Sequence, residues 1–271
     1  MKSTTVRRVA YLILAAALFV VAALQAQNDA RTLRDPAILT GYYLFGLMVL
    51  LGLFNLRKKL SMVPLGKAST WLRVHLAGGF LAVALFWLHI GKLWPNGLFE
   101  QLLALTFYLV SITGFAGYVL LQIYPSRLTQ SGIEVIYERI PAELAAIREE
   151  VEALILRCAE ETNNDTIARH YLETFHWFFS RPRHLWSHAL GSRKGAHWVR
   201  NEVNNLRRYL NDAEQTYLDR LAELAFIKNR IDYHYTAQSI MKVWLLVHLP
   251  LSVAVLAFAV WHFILVHVYV L

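Results

Sequence analysis

The chain has 271 residues, 56% hydrophobic and 17% charged, with a mean hydropathy of +0.38. Soluble domains carry about 25% charged residues and lack repeated apolar runs near spanning length, so the composition excludes an ordinary soluble fold and predicts an integral membrane protein. The formal net charge of +8 does not mark a nucleic-acid surface: residues 124–239 hold 15 Lys/Arg against 16 Asp/Glu, and the excess sits in short loops and ends around the apolar runs.

Residues 10–26 form an apolar run preceded by Lys2, Arg7 and Arg8, which fits a first transmembrane helix or a signal peptide. Leu24-Gln25-Ala26 lacks a small residue at the third position back from a cleavage point, which favours a retained helix. Either reading puts the next residues outside the cytoplasm. The loop with Asp29, Arg31, Arg34 and Asp35 has no net charge, and Pro36 opens a second span to about Leu56. Arg57, Lys58, Lys59 and Lys67 then make a basic loop, cytoplasmic by the positive-inside rule. A third span, about Trp71 to Leu93, runs outward, Trp94-Pro95-Asn96-Gly97 turns outside, and Leu98 to Ile123 returns.

At Tyr124-Pro125 the composition becomes polar and stays so to about Ser239. Ile140, Leu144, Ile147, Val151, Leu154 and Cys158 recur at three- and four-residue steps, as do Leu206, Leu210, Ala213, Tyr217, Leu221 and Leu224. This predicts a helical hairpin, its first helix starting at Pro141 and its second running from about Ala196 to Ile231. A shorter helix begins at Asn163-Asn164-Asp165 and carries the aromatic cluster Phe175, Trp177, Phe178 and Phe179. His170, His176, His184, His188 and His197 lie among Arg181, Arg183, Arg193 and Lys194. His184 and His188 are one turn apart, a minimal metal spacing, but Pro182 and Gly191 point to a loop. A basic, aromatic loop at the membrane surface, touching lipid headgroups or a partner, is the favoured reading. The last span starts near Ile240 with Lys242 at its cytoplasmic end, kinks at Pro250 and leaves the C-terminus outside.

The expected architecture is therefore an all-α membrane protein. Residues 1–35 form an N-terminal span and loop, 36–123 hold spans two to four, 124–239 form a cytoplasmic helical insert, and 240–271 form the last span. Nine of the 12 Lys/Arg outside the insert fall on the cytoplasmic side, which places the N-terminus inside and the C-terminus outside an inner (plasma) membrane.

Two histidine pairs of identical spacing stand out on the third and last spans: His75 with His89, and His248 with His262. Fourteen residues turn a helix to within roughly 40° of a whole number of turns and rise about 21 Å, so each pair shares a face at two depths. An intramembrane histidine taken singly is usually a hydrogen-bonded core residue; the repetition is what points to ligation. Both helices run outward, so His75 faces His248 and His89 faces His262. Four imidazoles spread over about 21 Å cannot gather on one zinc ion, and they suit two bis-histidine haems. Cys158 is the only cysteine, so no Cys-x-x-Cys-His attachment exists and the haems would be held noncovalently. Gly78, Gly79, Gly114 and Gly117 would let a flat macrocycle approach a helix backbone, although close helix packing explains any one of them equally well. Arg73, Lys67 and Lys242 would meet the propionates of an inner haem, and Lys92 those of an outer one. His267, about 140° around the helix from His262, is expected to be interfacial.

With its two His-x13-His pairs, 75/89 and 248/262, the sequence resembles the di-haem membrane cytochromes b, the b subunits of quinol-oxidising complexes, and more loosely the transmembrane ferric reductases and NADPH oxidases. The resemblance covers four spans from about Pro36 onward, without the polar insert. It implies a four-helix core holding two b haems one above the other, and electron transfer across the membrane as a subunit of a larger oxidoreductase. No Pro-Glu-Trp-Tyr quinol motif and no Gly-x-Gly-x-x-Gly occurs, and the insert is foreign to those families. The expected partners are the lipid membrane and a redox protein (iron–sulfur, flavin or cytochrome) docking on the insert, with a quinone as a further candidate. The contrasting expectation is a membrane-anchored scaffold or sensor with purely structural histidines.

Overall fold

In the computed structural model the described residues are 2–59 and 66–269, with side chains described for 9–54 and 66–269. The predicted loop cations Arg57, Lys58 and Lys59 and the N-terminal Lys2, Arg7 and Arg8 lie outside the described side chains. Every regular element among the described residues is helical, as expected. The helices are α1 Lys2–Arg31, α2 Pro36–Lys59, α3 Ala68–Ile90, α4 Leu98–Gln130, α5 Ile140–Thr162, α6 Thr166–His170, α7 His176–Phe179, α8 Leu185–Ala189, α9 Lys194–Arg207 and α10 Asp212–Tyr269. Five of them, α1 to α4 and α10, are long and apolar enough to cross a membrane, and the remainder form a helical insert between the fourth and fifth. Two compact units result, Met1–Val119 with Trp244–Leu271, and Leu120–Val243.

In the first unit α1 packs on α2 and α3, and α2 on α3. Asp35 caps α2, accepting a 2.8 Å hydrogen bond from the Ala37 amide, with Pro36 at the first helical position where its missing N–H costs nothing. Gly91, at φ 63°, ends α3 by donating its amide to the Trp87 carbonyl at 3.1 Å; that left-handed conformation strains any side chain with a Cβ. The core joins Ala22, Leu44, Leu81, Leu85, Phe86, Ala104, Phe107 and Val255. Phe86 and Phe107 stack at 4.1 Å. Leu12, Ile13, Leu24, Ile112, Phe115, Leu246 and Val253 point outward and exposed. Helices apolar on all sides belong in hydrocarbon rather than in water.

Several predicted boundaries shift. Tyr124-Pro125 does not end the fourth span's helix: α4 continues to Gln130. Proline removes only one donor from the ladder, which a helix of this length tolerates; the Thr129 hydroxyl donates to the Pro125 carbonyl at 2.7 Å. Pro250, the expected kink position, lies within α10, where Ser252 Oγ donates to the His248 carbonyl at 2.7 Å. The predicted helix from Ala196 to Ile231 is two elements. α9 stops at Arg207, and α10 starts behind a reciprocal cap in which Asn211 Oδ1 accepts from the Glu214 amide and Glu214 Oε2 from the Asn211 amide, both at 2.9 Å. That break resets the helical phase, so Leu218 rather than Ala213 joins Leu221 and Leu224 in the core.

The second unit buries Ile140, Ile147, Val151, Ile155 and Cys158 of α5 against Leu218, Leu221 and Leu224 of α10. Phe175, Phe178 and Phe179 complete this core and are essentially inaccessible; full burial of such rings contributes about 1.5–3 kcal/mol each. A π-turn over Tyr171–Phe175 precedes them, and burial with a bond to Glu152 pushes the Tyr171 phenol up to about 12. Beneath the aromatic cluster lies an ion pair with no solvent exposure, Lys228 with Asp232 at 2.6 Å. Lys228 Nζ also donates to the Arg181 carbonyl at 2.9 Å and sits 4.1 Å from the Phe178 ring, while Asp232 Oδ2 accepts the Arg183 amide at 3.1 Å. The pair thereby pins residues 181–183 to α10. Burial raises the Asp232 carboxyl to about 6 even with Lys228 beside it.

Candidate functional site

The first unit brings the four singled-out histidines together in the predicted combinations. His89, in the last turn of α3, and His262 of α10 have ring centroids 6.4 Å apart with planes at 81°. His75 and His248 are close enough to interact electrostatically. Within α3 the two levels stand about 21 Å apart.

Hydrogen bonding fixes the tautomer of one of these rings and engages Nδ1 of a second. His89 Nδ1 lies 3.0 Å from the Ala37 carbonyl, which can only accept, so Nδ1 carries the proton and Nε2 keeps a lone pair. The Thr40 hydroxyl, fully buried, stands 3.3 Å from the same nitrogen. His248 Nδ1 lies 2.9 Å from Thr113 Oγ1. That hydroxyl also stands 3.0 Å from the Leu109 and Val110 carbonyls; with its proton on either of them it accepts from Nδ1–H, which leaves Nε2 as the free donor atom. An imidazole held through Nδ1–H by a backbone or hydroxyl oxygen has the orientation and basicity of a metal ligand. His75 Nδ1 is buried and completes no hydrogen bond, and its ring lies 4.9 Å from Phe54. His262 stacks near Phe99 at 6.4 Å. His267 is spent otherwise: Nδ1 donates to the Phe263 carbonyl and Nε2 accepts from the Tyr42 hydroxyl, both at 2.8 Å.

A pocket partly open to its surroundings is lined by both rings of the outer pair. Four helices wall it, with Gly41, Met48, Phe86, Phe107 and Phe263 among the lining residues beside His89 and His262. Its walls are predominantly apolar. Metal–imidazole bonds run about 2.0–2.1 Å and a ring nitrogen lies roughly 1.1 Å from its centroid, so two imidazoles on opposite sides of one ion stand about 6.3 Å apart. The observed 6.4 Å fits that spacing, and the 81° angle is allowed because both planes can contain the axis. No group of three or more His, Cys, Asp or Glu converges among the described residues, so the pairs do not extend into protein-only metal cages.

The other singled-out residues divide. Gly114 faces His248, where an added Cβ would stand 3.5 Å from Cε1, and Gly117 lies directly under the Trp244 indole. Trp244 Nε1 donates to the Thr113 carbonyl at 2.7 Å and its ring stacks on His248 at 5.4 Å, so this stretch of α4 seats the inner imidazole. Gly78 instead accommodates Leu51 of α2, with its Cδ2 2.9 Å from an added Cβ, and serves helix packing. Gly79 has open space beside it. Arg73 is half-buried with Nη2 3.5 Å from Ser69 Oγ of its own helix, and Lys92 is exposed beyond the cap of α3. Lys242 is engaged by Glu138 at 2.6 Å and lies 3.8 Å from the Tyr137 ring, in the second unit, rather than free for a propionate. Gly41, where an added Cβ would stand 3.0 Å from His89 Cε1, was not legible beforehand, nor were Thr40 and Thr113. Their roles arise from contacts distant in sequence, and no local pattern marks them.

In the insert, His184 and His188 are a turn apart as predicted, both with buried, unpartnered Nε2 atoms. Among the described residues no third ligand joins them. Burial, then His184, then Lys228 push the His188 imidazole down to about 4, so this site repels added positive charge. Comparison with known proteins gives no family model, no curated protein and no solved structure that matches the chain.

Proposed function

We propose that the chain is a di-haem b-type membrane cytochrome that passes electrons across the membrane, as the electron-transfer subunit of a membrane oxidoreductase. The observation that carries the reading is the outer pair, two imidazoles 6.4 Å apart across a four-helix apolar cavity, repeated as His75 and His248 on the same two helices. The resemblance to di-haem cytochromes b supports the same reading through the matched spacing. Bound haem supplies reversible one-electron chemistry at the iron. The chain's own residues do the rest. His89 with His262, and His75 with His248, would hold the iron of each haem. The Ala37 carbonyl, with Thr40 and Thr113 beside the rings, would keep Nδ1 engaged and leave Nε2 free to bind the metal. Phe86, Phe107 and the aliphatic walls exclude water. With two histidines for each iron, the haems would supply electron transfer rather than oxygen chemistry. The charge distribution supports a cytoplasmic insert and an external C-terminus, with His75 and His248 nearer the cytoplasm. In this arrangement a soluble iron–sulfur, flavin or cytochrome partner, or a quinone, exchanges electrons with the inner haem.

Single substitutions test the pairing. His75→Ala and His248→Ala remove the same spectral and redox component, His89→Ala and His262→Ala remove the other, and His267→Ala leaves both. Loss of the outer component on His267→Ala, with His262→Ala silent, would overturn the assignment.

A further inference from the structure

We propose that α8 and its flanks form an interfacial anchor that binds anionic phospholipid headgroups, with Trp186 and Leu190 inserted into the adjoining leaflet. This inference needs only the membrane character of the chain and is independent of haem. Trp186 and Leu190 are 86% and 84% exposed and Leu185 is 40% exposed, side by side on a helix whose opposite face buries His188. Large apolar side chains this bare on a folded domain mark a contact surface. Cations surround them. Between Thr174 and Asn201 the chain holds Arg181, Arg183, Arg193, Lys194 and Arg200 and no acidic residue, within an insert that is otherwise nearly neutral. Arg183 is committed internally, over the Trp177 ring and pinned to Asp232, while Arg181, Arg193 and Lys194 are exposed.

The same unit fixes where this patch lies. Tyr124, one residue beyond the apolar run that ends at Ile123, donates its hydroxyl to the Ala189 carbonyl at 3.2 Å. The exposed Arg127, a turn further on, packs its guanidinium directly against Gly191. So α8 is tied to the last turn of the fourth span's apolar run, where hydrocarbon gives way to headgroups. A tryptophan, two leucines and three or four free cations at that depth match an interfacial anchor: the ring and aliphatic groups enter the acyl boundary and the cations meet lipid phosphates. A soluble protein partner would not require the patch to be held at the span's end. The lipid surface already stands there.

The test uses the full chain in nanodiscs, with Leu190→Cys labelled by an environment-sensitive fluorophore and Asn164→Cys as the control, beyond the far end of α5; native Cys158 is buried. The readout is the ratio of emission with and without doxyl-labelled lipid, so any bound chromophore cancels. In discs of mixed phosphatidylcholine and phosphatidylglycerol, emission at position 190 falls several-fold and shifts to the blue, while position 164 is unchanged. Each free cation adds roughly five-fold to attachment, so Arg181→Gln, Arg193→Gln and Lys194→Gln together return the signal to that in pure phosphatidylcholine. Three results would overturn the proposal: emission at 190 matching the control in both discs, quenching indifferent to phosphatidylglycerol and to the cation substitutions, or shielding of 190 only in native membranes where it crosslinks to a protein.

Discussion

Removing Lys228 strands the Asp232 carboxylate in a site where neither side chain touches water. No solvent screening softens the change, and breaking one partner of a buried pair costs about 3–5 kcal/mol. Lys228→Met and Asp232→Leu are each expected in that range. The double variant removes both charges and leaves only the Arg181 carbonyl and the Arg183 amide without their bonds, about 1 kcal/mol each, or about 2 kcal/mol in total. Two single losses of about 3 kcal/mol against a double loss of about 2 kcal/mol give a coupling of roughly 4 kcal/mol. The sign with pH is fixed too. Asp232 has its folded value raised to about 6, above the unfolded value near 3.9, so its contribution favours the fold below pH 4 and is lost as pH rises through 6. Lys228→Met, lacking the cation that restrains this shift, is therefore closest to wild type under mild acid. Urea unfolding of the full chain in detergent, followed by proteolysis within the insert, measures all four species. A double variant no more stable than either single variant, or a Lys228→Met loss that grows towards low pH, would refute the reasoning.

His188→Gln should remove an opposite pH dependence. The folded imidazole is pushed down to about 4, so its contribution is full above the unfolded value near 6.5 and fades as pH falls towards 4, by about 3 kcal/mol at most; the difference between variant and wild-type unfolding curves isolates it from Asp232. Gly117→Leu should displace Trp244 and break its bond to Thr113, costing about 1–3 kcal/mol or more, whereas Gly79→Ala, with open space beside it, should melt like wild type. An exposed cysteine at Gly97 should react with an impermeant reagent from outside the cell and one at Asn163 should not; the reverse pattern would invert the orientation.

What could be read from the sequence is what lipid and helix geometry impose. A span must be long and apolar whatever it packs against, so all five were visible, and a fourteen-residue interval places two histidines on one face of any straight helix. The hydrophobic stripe of α5 was visible for the same reason. The failures are contacts that cross the chain. Asn211 and Glu214 had the spacing of a reciprocal cap, but the apolar periodicity appeared to run through them, and the phase reset was missed. Pro125 read as a stop, yet it removes only one ladder bond from a long helix. Lys228 and Asp232, four residues apart, look like a solvated surface pair; only the packing of Phe178 and the 181–183 backbone over them reveals a buried one. The residues that orient the imidazoles, Thr40 and Thr113, are separated from their histidines by 49 and 135 positions.

The most direct measurement is the haem-to-polypeptide ratio of the purified full-length protein, with its reduced-minus-oxidised spectrum. Two noncovalently bound b haems per chain, each low-spin and reducible, are expected from the two imidazole pairs. A colourless protein that neither binds added haem nor changes its spectrum on reduction would contradict the account and leave the four histidines as structural residues of a membrane scaffold.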